Sequence, residues 1–184
     1  MAAKKQTKAF QAEVKEILNL MIHSLYSQKE IFLRELVSNA SDAISKRQFD
    51  SLQGGAAGSF DGLISIAVDK KAKRLTITDN GIGLNDEDLK NTLGSIASSG
   101  TKAFLEQMDQ SDKKSKSQSQ LIGQFGVGFY SAFMVAERVE VLSKKLDSDV
   151  AFCWVSDGKS GFSISSADKQ DIGTQITLIV KSDS

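Results

Sequence analysis

Proline is absent from these 184 residues, where average usage of about 5% would give roughly nine, a shortage the pattern of elements does not explain. Cysteine is almost as scarce. The lone Cys153 excludes an internal disulfide, so there is no sign of an oxidising compartment. The single His23 leaves no zinc-type ligand cluster and reads as a helix-surface or core histidine. Net charge is missing too: 23 basic residues balance 23 acidic ones, which argues against a general nucleic-acid or anionic-membrane surface. No run approaches the roughly 18 to 20 apolar residues of a membrane span, and Met1-Ala2-Ala3-Lys4-Lys5-Gln6-Thr7 lacks the apolar core of a signal peptide. The expectation is a soluble, cytoplasmic protein.

What is present is ordinary globular composition, 40% hydrophobic and 25% charged, enough to bury the core of one domain. Residues 8 to 12 suit a short edge strand. Val14, Ile17, Leu18, Met21, Ile22 and Leu25 recur at helical spacing and predict a helix over Glu13 to Tyr26. A second helix is predicted from about Lys29 to Leu52, then a loop over Gly54 to Gly62. Leu63 to Asp69 and Arg74 to Asp79 alternate as paired strands, with Lys70 to Lys73 as their turn. Asn85-Asp86-Glu87-Asp88 has the capping residue and acidic first turn of a helix start. Glu137 to Lys144, Val150 to Ser156, Gly161 to Ser165 and Thr174 to Val180 complete the strands, with Met134, Phe152 and Trp154 as core. The sum is an α+β two-layer sandwich, a mainly antiparallel sheet with helices on one face.

Three stretches carry candidate chemistry. On the second helix, at about 100° per residue, Glu35, Asn39 and Asp42 fall within about 60° of one another, and Leu33, Val37, Ala40 and Ile44 cluster opposite. Such a stripe is either a solvated face or one wall of a site. Asp79-Asn80-Gly81-Ile82-Gly83-Leu84 ends a strand in glycines. It reads as a common Asn-Gly turn, or as backbone opened for close approach by a ligand, with Asp79 offering a carboxylate into the same space. Gly123-Gln124-Phe125-Gly126-Val127-Gly128-Phe129 runs into an apolar helix over Tyr130 to Val135. No Lys-Ser/Thr follows those glycines, so this is not a Walker A loop, yet N–H groups at a helix start form an anion site. Between them, Ser95 to Gln120 reads as an incidental insert or a lid: Ser98-Ser99-Gly100 breaks the preceding helix, Thr101 to Met108 suits another short one, and Asp109 to Gln120 is wholly polar.

The ordered combination of Glu35 and Asn39, Asp79-x-Gly81-x-Gly83, Gly123-x-x-Gly126-x-Gly128 and Gly173-Thr174 resembles the ATP-binding domain, of Bergerat type, shared by DNA gyrase, heat-shock protein 90, histidine kinases and MutL. The similarity to heat-shock protein 90 is nearly chain-long. It includes Phe10 to Glu13, Lys29-Glu30-Ile31-Phe32-Leu33-Arg34-Glu35-Leu36, Ser38-Asn39-Ala40-Ser41-Asp42-Ala43 and Gly123 to Tyr130. The chain is identified as the N-terminal nucleotide-binding domain of a member of that family, 1–184, with a lid over about 94–125 and the middle and C-terminal domains absent.

The resemblance implies ATP/ADP and Mg²⁺ as ligands, with Glu35 activating the attacking water and Asn39 giving its amide oxygen to the metal. Asp79 would accept from the adenine amino group near Thr174, and Gly83 would let the base rest on backbone. Asp42, Leu84 and Thr92 would complete the nucleotide pocket, and Gly123, Gln124, Phe125, Gly126, Val127, Gly128 and Phe129 would surround the phosphates. Asn91-Thr92-Leu93-Gly94 and Ala97-Ser98-Ser99-Gly100 depart from the family's Asn-Asn-Leu-Gly and Ala-Lys-Ser-Gly, so one nucleotide-facing amide and one lid lysine are missing. Implied partners are unfolded or metastable client proteins and co-chaperones, with the full-length protein a homodimer, this domain alone a monomer, and neither nucleic acid nor membrane involved. An arginine from a later domain would complete the hydrolytic site, so turnover by these residues alone would be slow. Two other readings stay open: a kinase domain that phosphorylates a partner histidine, against which the water-activating Glu35 argues, and a nucleotide-sensing module without turnover.

Overall fold

The computed structural model describes residues 6–8, 30–53, 60–94 and 128–182. Strands β1 (Gln6–Lys8), β2 (Ile64–Asp69), β3 (Arg74–Asp79), β4 (Ala136–Lys144), β5 (Ala151–Ser156), β6 (Phe162–Ala167) and β7 (Gly173–Val180) form one sheet in the order β1-β6-β5-β4-β7-β3-β2. Every pairing is antiparallel. Short connections make a hairpin of β2 and β3 and a meander of β4, β5 and β6, and β7 then returns between β4 and β3. The α+β sandwich expected from the sequence is the fold observed. The edge strand is β1 on β6, at Gln6–Lys8, slightly N-terminal to the expected 8–12. The helix expected over Glu13 to Tyr26, His23, the lid beyond Gly94 and the glycines at 123 and 126 lie outside the described residues.

One face of the sheet is apolar because alternate residues turn inward: Ile77 on β3, Val139 and Val141 on β4, Trp154 on β5, Ile164 on β6, and Ile176 and Leu178 on β7 are all buried. Trp154 is stacked on Phe162 with centroids 6.0 Å apart and meets the edge of Phe129 at 5.5 Å. Against this face lies helix α1 (Ile31–Gln53), centred on Leu36, which is fully buried, and Ala40. The two stripes foreseen for α1 are therefore not core against solvent. They flank the packed line, with Glu35 buried and Asn39 and Asp42 exposed on one side, and Leu33, Val37 and Ile44 half-buried on the other. Helix α2 (Asp86–Leu93) starts with a full capping box, in which Asn85 Oδ1 accepts from Asp88 N at 2.8 Å and Asp88 Oδ2 from Asn85 N at 3.1 Å. Lys145 Nζ donates to Asp88 Oδ2 at 2.7 Å and ties α2 to the end of β4.

The apolar helix expected at Tyr130 to Val135 is instead a 3-10 helix, Gly128–Met134, whose seven residues are all buried. A short buried run that leads directly into a strand is a usual place for a 3-10 connector. Tyr130 Oη donates to the Leu93 carbonyl at 2.6 Å and so joins it to the end of α2.

The turn after β3 is wedged between α1 and the end of β4. Ile82 N donates to the Ala43 carbonyl at 3.0 Å, and Leu146 N to the Ile82 carbonyl at 2.7 Å. Leu84 N donates to Ser143 Oγ at 2.8 Å. A Cβ on Gly81 would stand 2.6 Å from the Ala43 carbonyl carbon, and one on Gly83, where φ is 71°, would stand 2.0 Å from the Lys144 carbonyl oxygen. The space these glycines vacate is thus filled by the protein's own backbone and not left to a ligand, which corrects the reason inferred for them from sequence.

Gly83→Ala tests that correction. Forcing an L side chain into left-handed backbone costs about 1 to 2 kcal/mol, with the overlap on Lys144 in addition, so the ligand-free variant should melt about 2 to 8 °C lower or more. A thermal melt equal to the parent's would mean that neither the left-handed backbone nor the overlap on Lys144 constrains this position.

Candidate functional site

Beside this wedged turn lies a cavity of about 310 Å³. Its α1 wall is Asn39, Asp42, Ala43 and Lys46; its opposite wall is Ile82, Gly83 and Leu84; Thr92, Leu93 and Phe129 close one end, and Val141, Thr174 and Ile176 form the sheet floor. Seven of the residues foreseen from the sequence therefore converge here: Asn39, Asp42, Gly83, Leu84, Thr92, Phe129 and Thr174. Gly83 contributes through its main chain. The interior is largely apolar and the polar groups come from α1, Thr92 and Thr174, the composition of a small-molecule pocket.

At and behind the floor runs a polar row across three strands. Register places Asp79 of β3 opposite Thr174 of β7, and Thr174 opposite Ser143 of β4. All three are buried, so each needs partners. Ser143 Oγ lies 2.8 Å from Thr174 Oγ1, donates to the Gly173 carbonyl at 3.2 Å and accepts from Leu84 N. A hydroxyl has one proton and two lone pairs, so Ser143 is saturated by these contacts while Thr174 keeps a valence for the cavity. Asp79 Oδ1 accepts from Gly81 N at 2.8 Å. Burial pushes the Asp79 carboxyl above the usual carboxylate range, opposed by N–H donation from Gly81 and Thr174 and by the charge of Lys169.

Asp79 is the neighbour of the cavity floor and not one of its lining residues. It opens on a second depression of about 480 Å³, lined also by Arg47, Ser65, Thr78, Asn80 and the 169–172 segment. Glu35 is likewise outside the cavity lining. It lies one turn before Asn39, its Oε1 3.1 Å from Arg34 Nη2. A Cβ on Gly128 would stand 2.5 Å from Glu35 Oε2, so the glycine lets the 3-10 helix close directly on this carboxylate. Gly123, Gln124, Phe125, Gly126 and Val127 lie outside the described residues.

Sequence reasoning missed Lys46 and Ser143. Lys46 follows Asp42 by one turn and Asn39 by two, a spacing that could have found it. Ser143 continues the inward alternation of Val139 and Val141 and was legible as a polar residue in a core position. Among the described residues there is no group of three His, Cys, Asp or Glu side chains able to hold a metal, and no helix is long and apolar enough to cross a membrane.

The sequence is similar to proteins named chaperone protein HtpG. It is 57% identical to one from Campylobacter jejuni over 176 residues, 95% of this chain and 28% of the relative. It is 54% identical to one from Helicobacter hepaticus over 98% of this chain and 29% of the relative, and 52% identical to one from Roseobacter denitrificans over 99% and 29%. The chain thus spans under a third of the length of these relatives. A family model described as histidine kinase-, DNA gyrase B-, and HSP90-like ATPase matches residues 26–160. With the ordered motifs, the antiparallel sandwich and that match over most of its length, the chain belongs to the histidine kinase-, DNA gyrase B- and HSP90-like ATPase family.

Proposed function

We propose that this chain is the ATP-binding and ATP-hydrolysing domain of a cytoplasmic molecular chaperone, whose nucleotide cycle drives lid closure over about 94–125 and clamping of a homodimer around client proteins. The observation that carries the reading is the cavity with an apolar body, a polar row behind its floor and the Asn39, Asp42 and Lys46 flank of α1 along one wall. Such a site fits a flat base inside and a charged tail along the helix. The relatives' name, chaperone protein HtpG, supports the wider role.

In this reading the adenine edge meets Thr174 and the Asp79 carboxylate, and the triphosphate extends past Asn39 toward the glycines at 123–128. Mg²⁺ fits the donor set: Asn39 and Asp42, about one turn apart on the cavity flank, offer hard oxygens, and a magnesium ion needs only one or two protein ligands beside phosphate and water. When bound, it would neutralise charge on the triphosphate. Glu35 takes a proton from water, the water oxygen attacks the γ-phosphorus, and the bond from that phosphorus to the β–γ bridging oxygen breaks, leaving ADP and phosphate. Lys46 adds a cation beside the tail.

Glu35→Ala in the full-length protein should keep ATP affinity within a few-fold and remove most hydrolysis, on the order of 10² to 10⁴-fold. Gly128→Ala should do so more weakly, up to roughly 10²-fold, because it pushes the carboxylate out of line. Calorimetric titration beside a phosphate-release assay separates the two quantities. Equal losses in both would make Glu35 a structural residue.

Asp79→Asn exchanges an acceptor for an NH₂ toward one of the carboxylate's partners. An unsatisfied buried group costs about 1 to 3 kcal/mol, so ADP affinity should fall on the order of 10 to 100-fold. In the parent, affinity should also decline as pH falls, at a higher pH than an exposed aspartate would protonate, because burial raises this carboxyl. The folded state takes up that proton more readily than the unfolded one, so Asp79's own contribution to stability rises while affinity drops. Calorimetry and melts across pH on parent and variant check both signs; an affinity for ADP that is equal in the two proteins would remove Asp79 from the base site.

A further inference from the structure

The depression behind Asp79 carries a role of its own. Asp79 and Lys169 together line this space of about 480 Å³, beside the cavity at the end of β3. Lys169 belongs to the connection between β6 and β7, where Lys144 Nζ of β4 donates to the Gln170 carbonyl at 3.2 Å and Lys169 Nζ, within the loop, to the Asp171 carbonyl at 2.5 Å. That connection leads into Gly173, where an added Cβ would stand 2.2 Å from the Asp79 carbonyl oxygen. The loop bearing the cation and the strand end bearing the carboxylate are therefore set against each other through backbone.

We propose that Lys169 is a positioning residue for the base end of the site, its ammonium supplying the counter-charge that keeps Asp79 an acceptor-only carboxylate. The inference rests on the reading of Asp79 as the partner of the adenine amino group. Three other charged groups lie around the pair. Arg47, from α1, is engaged by the Asn80 carbonyl at 2.6 Å and by the Phe60 ring at 4.5 Å. Lys144, from β4, opposes the charge on Lys169; Asp171, in the same loop, supports it; and Lys169 itself favours the ionised form of Asp79. Burial works against charge on both partners, drawing the carboxyl up and the amine down, so each ion offsets part of the other's desolvation.

The test is ADP affinity by calorimetry across pH on the 184-residue chain, comparing the parent with Lys169→Met, Lys169→Arg and Asp79→Asn, each with a ligand-free melt. In Lys169→Met the pH at which affinity falls should move upward, with affinity at the parent's midpoint lower by roughly two- to five-fold, the range for a partly solvated charge pair. Lys169→Arg should restore the parent profile. On the Asp79→Asn background the methionine should have no further effect. A Lys169→Met profile that superimposes on the parent overturns the proposal, as does an arginine that fails to restore it; Lys169→Gln repeats the comparison if methionine lowers the melt. Unchanged ADP binding in Asp79→Asn would instead overturn the underlying reading of the base site, whatever Lys169 does.

Discussion

The turn from Asn80 to Leu84 is the piece on which the cavity depends, because its peptide groups bridge α1 and the end of β4 across the sandwich. Buried N–H groups must be paired. Here they are paired outward on both sides, Ile82 N to Ala43 in the helix and Leu84 N to Ser143 in the sheet. The Ala43 carbonyl has lone pairs for this bond besides its helical one. Arg47, one turn on, takes the Asn80 carbonyl and fixes the same turn a second time. With Ala43 held, the rotation of α1 is set, and Asn39, Asp42 and Lys46 are delivered to one wall together. Side chains at 81 or 83 would separate the two layers, so the glycine spacing is a packing requirement before it is a binding one.

Most of the fold was legible because its signals are local. Alternation marks β2 to β7 within a residue or two, and Asn85 with three acidic residues after it marks the start of α2. The flanks of α1 were harder. Periodicity identified two stripes but could not decide which line of the helix faced the sheet, since that line runs through Leu36, which belongs to neither stripe, and Ala40, at the edge of the apolar one. The length of the 3-10 element was also beyond periodicity, because a segment buried on every side has no amphipathic phase to read. Glu35, Asn39, Asp79 and Thr174 come from three elements far apart in sequence, and only the resemblance joined them. Local rules offered no reason to pair Ser143 with Thr174 before the return of β7 between β4 and β3 was known.

The inner face of the sheet changes character in one step. Val141, Ile176 and Ile77 are aligned across β4, β7 and β3, and two residues along the same strands stand Ser143, Thr174 and Asp79. The first row is apolar and buried; the second is polar and equally buried. A polar row in a core is tolerable only if its hydrogen bonds close on one another, and these do so largely through Leu84, Gly81 and Gly173. The row is consequently stiff, with few valences left over.

On the proposed reading, that stiffness is what makes the site selective for its base. The apolar row would take the ring face, where any purine fits about equally well, so discrimination must come from the edge. A carboxylate with one oxygen held by Gly81 N–H presents acceptors only. A base carrying an amino group at that point meets it with a donor, whereas a base carrying a carbonyl there sets acceptor against acceptor in a space too constrained to turn either away. Rejection by unpaired buried groups is far stronger than rejection by a missing methylene. The same argument explains why the charge on Asp79 matters more than its shape, since a protonated carboxyl would regain a donor and lose the distinction.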